Sequence, residues 1–287
     1  MNNYVEKYIQ WKSLHAQRAP ITYRIWIERM FKFIDKDFKT WTLDDLISYQ
    51  NHIQDKYAPV TFQYCVAVMK NFFRFWFVQR KTEISPDLMK IPKVGQKEMT
   101  YVTQDDYEHI LEFCIIDNSF QEIRRKLIIM ILFKTGMRVS ELCSLNLAHI
   151  DTRTCSALVR TRKNKRFRKV FWDKETNELL CLYLGVRLDL GVSSDALFVG
   201  LKKGNRPTHR MCVRTVQRNI KLLCKRAGIK KRISPHTFRH GKGHDMMIKQ
   251  APMPLISKVL GHNNPGSTFV YTQYVDKDFE LHAKKYL

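Results

Sequence analysis

Large apolar side chains recur at helical spacing through the first ninety residues, and the pattern changes clearly to alternation only near residue 160. In TWTLDDLISYQNHIQ, Thr42 is placed to cap a helix whose third residue is Asp45, with Leu43, Leu46, Ile47 and Ile53 on one apolar side. In VTFQYCVAVMKNFFRFWFVQRK, Val66, Met69, Phe73 and Phe77 keep helical spacing, and so many aromatics predict a helix buried on most of its circumference. The pattern predicts a small all-helical bundle. It stops in EISPDLMKIPKVGQKEM, where two prolines, a glycine and no sustained period predict a linker over 84–97. A second unit opens at TQDDYEHIL, with Thr103 as cap and Asp106 at the third position, so the boundary falls near residue 96.

The second unit starts helical in RRKLIIMILFKTGMRVSELCSLNL, and CSALVRTRKNKRFRKVFW then alternates and turns around KNK as a β-hairpin would. From Thr208 the period is again helical and ends at Gly228, a residue suited to a helix C-terminus; further helices are predicted over 236–249 and 254–261. The expected fold is mainly α with a small antiparallel β-sheet: an all-helical domain over 1–95 and an α+β domain over 96–287.

Charge changes this picture from architecture to partner. The 287 residues carry 50 Lys and Arg against 27 Asp and Glu, a net charge of +23, more than solubility requires. Such an excess points to a polyanion, nucleic acid before an anionic membrane. No apolar run approaches the ~18 residues of a membrane span, and LIIMILF has the length of a buried core segment. The N-terminal MNNYVEKYIQWK lacks an apolar signal core, and seven scattered cysteines without a C-x-x-C pair read as reduced, mostly buried thiols of a cytoplasmic protein.

The cations are clustered. Seven fall within the ten residues from Arg160 to Lys169, Arg162 and Lys165 among them. A second group, Arg210, Arg214, Arg218, Lys221 and Lys225, follows a helical stripe, and KRAGIKKR comes directly after. Together they predict a phosphate-binding face. Three segments add chemistry: TGMRVSEL, SPHTFRHGKGH and LGHNNPGSTFVYTQY. A phosphoryl centre in transition gathers negative charge on its non-bridging oxygens, and a metal-free site needs fixed donors there. Arginine suits best, since its planar fork grips two oxygens and stays charged. Arg138 follows Gly136, Arg239 lies three residues after His236 on one side of a helix turn, and His262 follows Gly261. His236, His240 and His244 stand four apart in a row, as metal ligands could, but Arg239 and Lys242 beside them would repel a cation, so no metal and no cofactor are expected.

Taken in order, these segments resemble the tyrosine recombinase family, also called the phage integrase family. The family pattern is T-G-x-R-x-x-E-L, a lysine on a β-hairpin turn, H-x-x-R-H, L-G-H, and a tyrosine nine residues after that last histidine; this chain has TGMRVSEL, the basic hairpin, HTFRH, LGH, and Tyr271 nine residues after His262. The sixteen residues after Tyr271 also fit, the resemblance spans essentially the whole chain, and the two-domain length looks like that of Xer-type and transposon-type members. It implies a SAM-like helical core-binding domain and a catalytic domain that close on duplex DNA as a clamp. It further implies that Tyr271, rather than Tyr274, attacks a phosphodiester to give a 3′-phosphotyrosyl link and a free 5′-hydroxyl. Arg138 and Arg239 would clamp the phosphate, and His236 and His262 would bond it and manage the tyrosine proton. Glu141 and His240 would support these groups, and a lysine would protonate the leaving oxygen.

The lysine is where the chain departs from the family. Ungapped counting puts Arg162 at its position, a shift of one gives Lys163 and of three Lys165; Lys163 is taken here. GKGH after FRH is a second departure, because two glycines weaken a helix by roughly 1 kcal/mol each. The implied partners are double-stranded DNA at an inverted-repeat core site, other copies in a homotetramer passing through a Holliday junction, and accessory proteins, in a prokaryotic, nucleoid-associated cytoplasmic setting. The tail VDKDFELHAKKYL packs either on its own subunit or on a neighbour. A type IB topoisomerase or telomere resolvase would use similar tyrosine chemistry, and a DNA-binding accessory protein with weakened catalysis is the non-enzymatic alternative.

Overall fold

The computed structural model describes residues 3–15, 19–95, 99–114, 119–160, 167–201 and 207–261. The chain divides into two compact units, Met1–Lys97 and Glu98–Leu287.

The first unit is built from α1 (Asn3–His15), α2 (Ala19–Ile34), α3 (Leu43–Lys56) and α4 (Pro59–Val78) around a core rich in aromatic rings. Phe38 sits among Phe31, Trp41 and Phe72, with centroids 5.7, 5.2 and 5.5 Å away in tilted or edge-on arrangements. Such contacts add to the area that the rings bury. Thr42 and Asp45 form the expected reciprocal cap of α3. The apolar side of that helix is narrower than its composition suggested: Leu46, Tyr49 and Ile53 are buried, while Leu43 and Ile47 are exposed. Positions 46, 49 and 53 already make a complete stripe, and Ile47 lies a full residue step round from it. On α4, Val66, Met69 and Phe73 are buried as expected, but Phe77 is exposed and Trp76 takes the last core position.

The predicted linker begins later than its prolines suggested. Ser85 caps a short 3-10 turn at Pro86–Leu88, Ile84 and Met89 belong to the first unit's core, and Gln63 Nε2 donates to the Pro92 carbonyl at 2.8 Å. Apolar side chains on either side of the turn strap this segment onto the bundle.

In the second unit come α5 (Gln104–Glu112), capped by Thr103 and Asp106, then α6 (Phe120–Thr135) and α7 (Val139–Ser144). The stretch Leu127–Leu132 of α6 is almost wholly buried, which makes it the helix on which the domain is built. Strands β1 (Ile150–Asp151), β2 (Ser156–Arg160) and β3 (Phe167–Phe171) form an antiparallel sheet in that order, with Arg160 opposite Phe167 and Val159 opposite Arg168. Then follow α8 (Lys174–Asp189), a two-stranded sheet of β4 (Val199–Leu201) and β5 (Pro207–Arg210), α9 (Val213–Arg226), α10 (Pro235–Ile248) and α11 (Met253–Leu260). The helix expected from Thr208 thus begins at Val213. Residues 207–210 are a strand instead, paired with β4, and Met211 N–H closes the ladder on the Phe198 carbonyl at 2.9 Å. No described helix is long and apolar enough to cross a membrane.

The glycines of GKGH do not break α10. A Cβ at Gly241 would lie 2.2 Å from the Val102 carbonyl oxygen, and Val102 N–H donates to Thr237 O at 3.1 Å, so the incoming chain lies directly on the helix backbone. Gly185, exposed on α8, has nothing within 4 Å of a Cβ. Gly185→Ala is therefore expected to raise stability by about 0.5–1 kcal/mol by restricting the unfolded chain. Gly241→Ala should lower it by about 3 kcal/mol, the upper end of overpacking costs; denaturant titration of the two variants checks both signs.

Candidate active site

TGMRVSEL builds its own geometry. Gly136 ends α6 in the left-handed region (φ 59°), where a side chain is strained, and Thr135 Oγ1 accepts the Met137 N–H at 3.2 Å to shape the turn. Arg138 then starts α7 in extended backbone, and Glu141, three residues on, reaches back to its N–H at 2.8 Å. The same carboxylate accepts from Arg138 Nη1 at 3.1 Å. Spacing of three therefore serves the helix start and the guanidinium together.

HTFRH opens α10 behind Pro235. His236 is exposed, His240 half-buried, and Arg239 buried, its Nη1 donating to the Gly136 carbonyl at 3.1 Å. Gly261 ends α11 with φ 65°, and its carbonyl accepts from Arg138 Nη2 at 3.2 Å. A Cβ at Gly136 would fall 2.8 Å from Leu260 Cδ2 and 2.9 Å from Lys242 Cβ, so α10 and α11 both close on the end of α6 because that residue is glycine. The sequence-predicted Arg138, Glu141, Arg239 and His240 and the L-G pair before His262 thus come from three distant segments to one place. Lys163, Arg162, Lys165, His262 and Tyr271 lie outside the described residues.

Burial pulls the Glu141 carboxyl upward, but hydrogen bonds and charge from Arg168, then the backbone and charge of Arg138, outweigh it and hold its pKa below the ordinary carboxylate value. Burial, then His236 and Arg239, depress the His240 imidazole, and burial likewise depresses the Lys242 ammonium despite Asp245 beside it. His244 stacks on Tyr101 with centroids 4.1 Å apart, and the described residues contain no group of three or more His, Cys, Asp or Glu fit to hold a metal.

The cation clusters sort into two kinds. Arg214, Arg218, Lys221 and Lys225 line the exposed side of α9, and Arg160 is exposed at the end of β2. Arg210 does not belong to that stripe: at the end of β5 it donates to the carbonyls of Cys143 and Leu145 at 2.9 and 3.0 Å and caps the end of α7. Its fork is engaged because four carbonyls at a helix end otherwise lack donors. Arg168 is one of the hairpin's seven cations, yet its side chain is only 9% exposed and binds both Glu141 oxygens. Alternation held the signal: Val170 faces inward, so residue 168, two before it, faces inward too.

A helical bundle followed by an α+β unit of this order is the architecture of the tyrosine recombinases. The XerH recombinase bound to its palindromic difH substrate after cleavage superimposes with a TM-score of 0.78 at 19% identity, covering 97% of this chain and 83% of that one. A lambda integrase dimer bound to a COC′ core site gives 0.73 at 16% identity, covering 93% and 75%. In sequence, the tyrosine recombinase XerC of Anoxybacillus flavithermus is 26% identical over 97% of this chain and 93% of its own length. The phage integrase family profile matches residues 100–278, and that of the phage integrase N-terminal SAM-like domain residues 5–84. The chain belongs to the phage integrase family, the tyrosine recombinases.

The depressed His240 gives a pH test with a definite sign. Unfolding frees the imidazole to protonate near pH 6.5, so the stability it contributes is complete above that value and is lost as pH falls below it. Between pH 7.5 and 5.5 the Tm of the wild type should fall further than that of His240→Gln; parallel curves would show that His240 takes no part.

Proposed function

We propose that the chain is a site-specific recombinase that cleaves DNA by attack of Tyr271, forms a 3′-phosphotyrosyl intermediate, and rejoins strands through a Holliday junction. The observation that supports it most is the meeting of Arg138 and Arg239 at the Gly136–Arg138 turn, against the Leu260–Gly261 pair that precedes His262 in sequence. Two guanidiniums there offer a forked, permanently charged grip for a phosphate whose charge grows in the transition state. A phenol with a pKa near ~10 is a poor nucleophile at neutral pH. His236 and His262 are therefore assigned to the phosphate and the tyrosine proton, and Lys163 to the leaving 5′-oxygen. The covalent link conserves the bond energy, so rejoining needs no nucleotide cofactor.

Residues 1–95 act as the core-binding domain and 96–287 as the catalytic domain, each contacting duplex DNA. Arg160, Arg162, Lys165, Arg214 and Arg218 supply phosphate contacts. The working assembly is a homotetramer on an inverted-repeat core site, with accessory proteins as further partners, in a prokaryotic cytoplasm.

Supercoiled plasmid in EDTA without ATP tests the chemistry without knowledge of the site. Wild type and Tyr274→Phe should form SDS-resistant protein–DNA adducts and Tyr271→Phe none; loss in Tyr274→Phe alone would move the nucleophile to 274. For the interface, each of Arg214→Ala and Arg218→Ala should weaken binding on all sequences and reduce the slope of log affinity against log salt by about 0.9, one phosphate contact each. An unchanged slope would remove that residue from the interface.

A further inference from the structure

Arg168 stands apart from the other hairpin cations. Its three donor nitrogens are all committed: Nη1 and Nη2 to Glu141 Oε1 and Oε2 at 2.9 and 2.8 Å, and Nε to the Val259 carbonyl at 3.1 Å. The carboxylate it grips is 2% exposed and is the one that holds Arg138. Arg138 in turn reaches Gly261 O, two residues beyond Val259, so the contacts close a ring through β3, α7 and the end of α11. The ring leaves no room to spare, since a Cβ at Gly261 would lie 2.9 Å from Arg168 Nη1. Nor does a phosphate have a place on this guanidinium, whose side chain is 9% exposed.

We infer that Arg168 is a positioning residue for strand cleavage: by gripping Glu141 and the α11 terminus it sets the Arg138 guanidinium and joins the hairpin to the segment leading into His262. The inference rests on the reading of Arg138 as a phosphate clamp. Three elements must agree in place for one phosphate to be held, and sequence alone lets each move independently. One bidentate arginine couples them, because a planar fork fixes direction as well as distance. Lysine cannot replace it, since a single ammonium cannot span both carboxylate oxygens and the carbonyl in one plane.

The test compares wild type, Arg168→Gln, Arg168→Lys, Glu141→Gln and the Arg168→Gln/Glu141→Gln double variant in single-turnover adduct formation on the plasmid, with DNA affinity and Tm measured alongside. Arg168→Gln is expected to slow adduct formation about 100-fold, the scale of a misplaced reacting group, with affinity for the plasmid unchanged. Arg168→Lys, which keeps the charge and serves if the glutamine variant is unfolded, should be nearly as slow. The double variant should be no slower than Glu141→Gln alone. In both Arg168 variants the acid limb of the rate profile should move to higher pH, because Glu141 loses the partner that holds its pKa down. Wild-type rates in Arg168→Lys, losses that multiply in the double variant, or a loss accounted for by DNA affinity would each overturn the inference. Should wild type form no adduct, the proposed function fails, and the inference is decided by the ¹⁵N-detected Nη–H resonances of Arg138. They should be resolved and slowly exchanging in wild type and lost in Arg168→Lys; if they persist, Arg168 does not set Arg138.

Discussion

A carboxylate with 2% exposure governs the second unit: Glu141 must stay ionised away from water, and it does so only between Arg138 and Arg168. Taking a charge out of water costs several kcal/mol, which is recovered only with well-aligned partners for its lone pairs. Here each oxygen is filled. Oε1 accepts from Arg138 Nη1 and Arg168 Nη1, and Oε2 from the Arg138 backbone N–H and Arg168 Nη2. Two positive charges around one negative leave the cluster net cationic. On the proposed function, a centre built this way would meet a phosphate with its charge already in place.

The close approach of helices around this cluster depends on missing side chains. Gly136 lets Leu260 and Lys242 reach the end of α6, and Gly241 lets the segment before α5 lie against α10. Gly136 and Gly261 also end their helices with positive φ, and the freed carbonyls of both are taken by arginines, Arg239 and Arg138. Helix termini that would need water or a cap elsewhere are satisfied here by the groups assigned to the phosphate. Folding and the placing of the site are the same set of contacts.

Local signals in the sequence were legible. The caps at Thr42 and Thr103 and the alternation of β2 and β3 involve residues at most a few positions apart, so the chain itself displays them. Arg138, Glu141 and Arg239 were legible through a family pattern, and their meeting is a property of the fold. What stayed hidden was set by distant partners. Arg210 bonds to carbonyls 65 and 67 residues away, and Arg168 to a carboxylate 27 residues away; neither separation leaves a mark on the local sequence. Four-residue β5 carries no strand signal of its own, because its pairing with β4 is not local and a short strand has too few positions for its period to show.

The same distinction alters what the net charge of +23 means. Arg124 donates to the Val199 carbonyl and Arg187 to those of Val192, Ser194 and Ala196, and Arg210 and Arg168 are committed as described. These cations donate to backbone carbonyls and to the Glu141 carboxylate within the fold. Subtracting them concentrates the remaining excess on surfaces such as α9, where Arg214, Arg218, Lys221 and Lys225 share one exposed side with no ion pair among the described residues. A total of charges overstates the area that faces DNA and understates how focused it is. On the proposed function, affinity for the duplex rests on the outward cations and the placing of Arg138 on Arg168, and the hairpin carries both kinds a few residues apart.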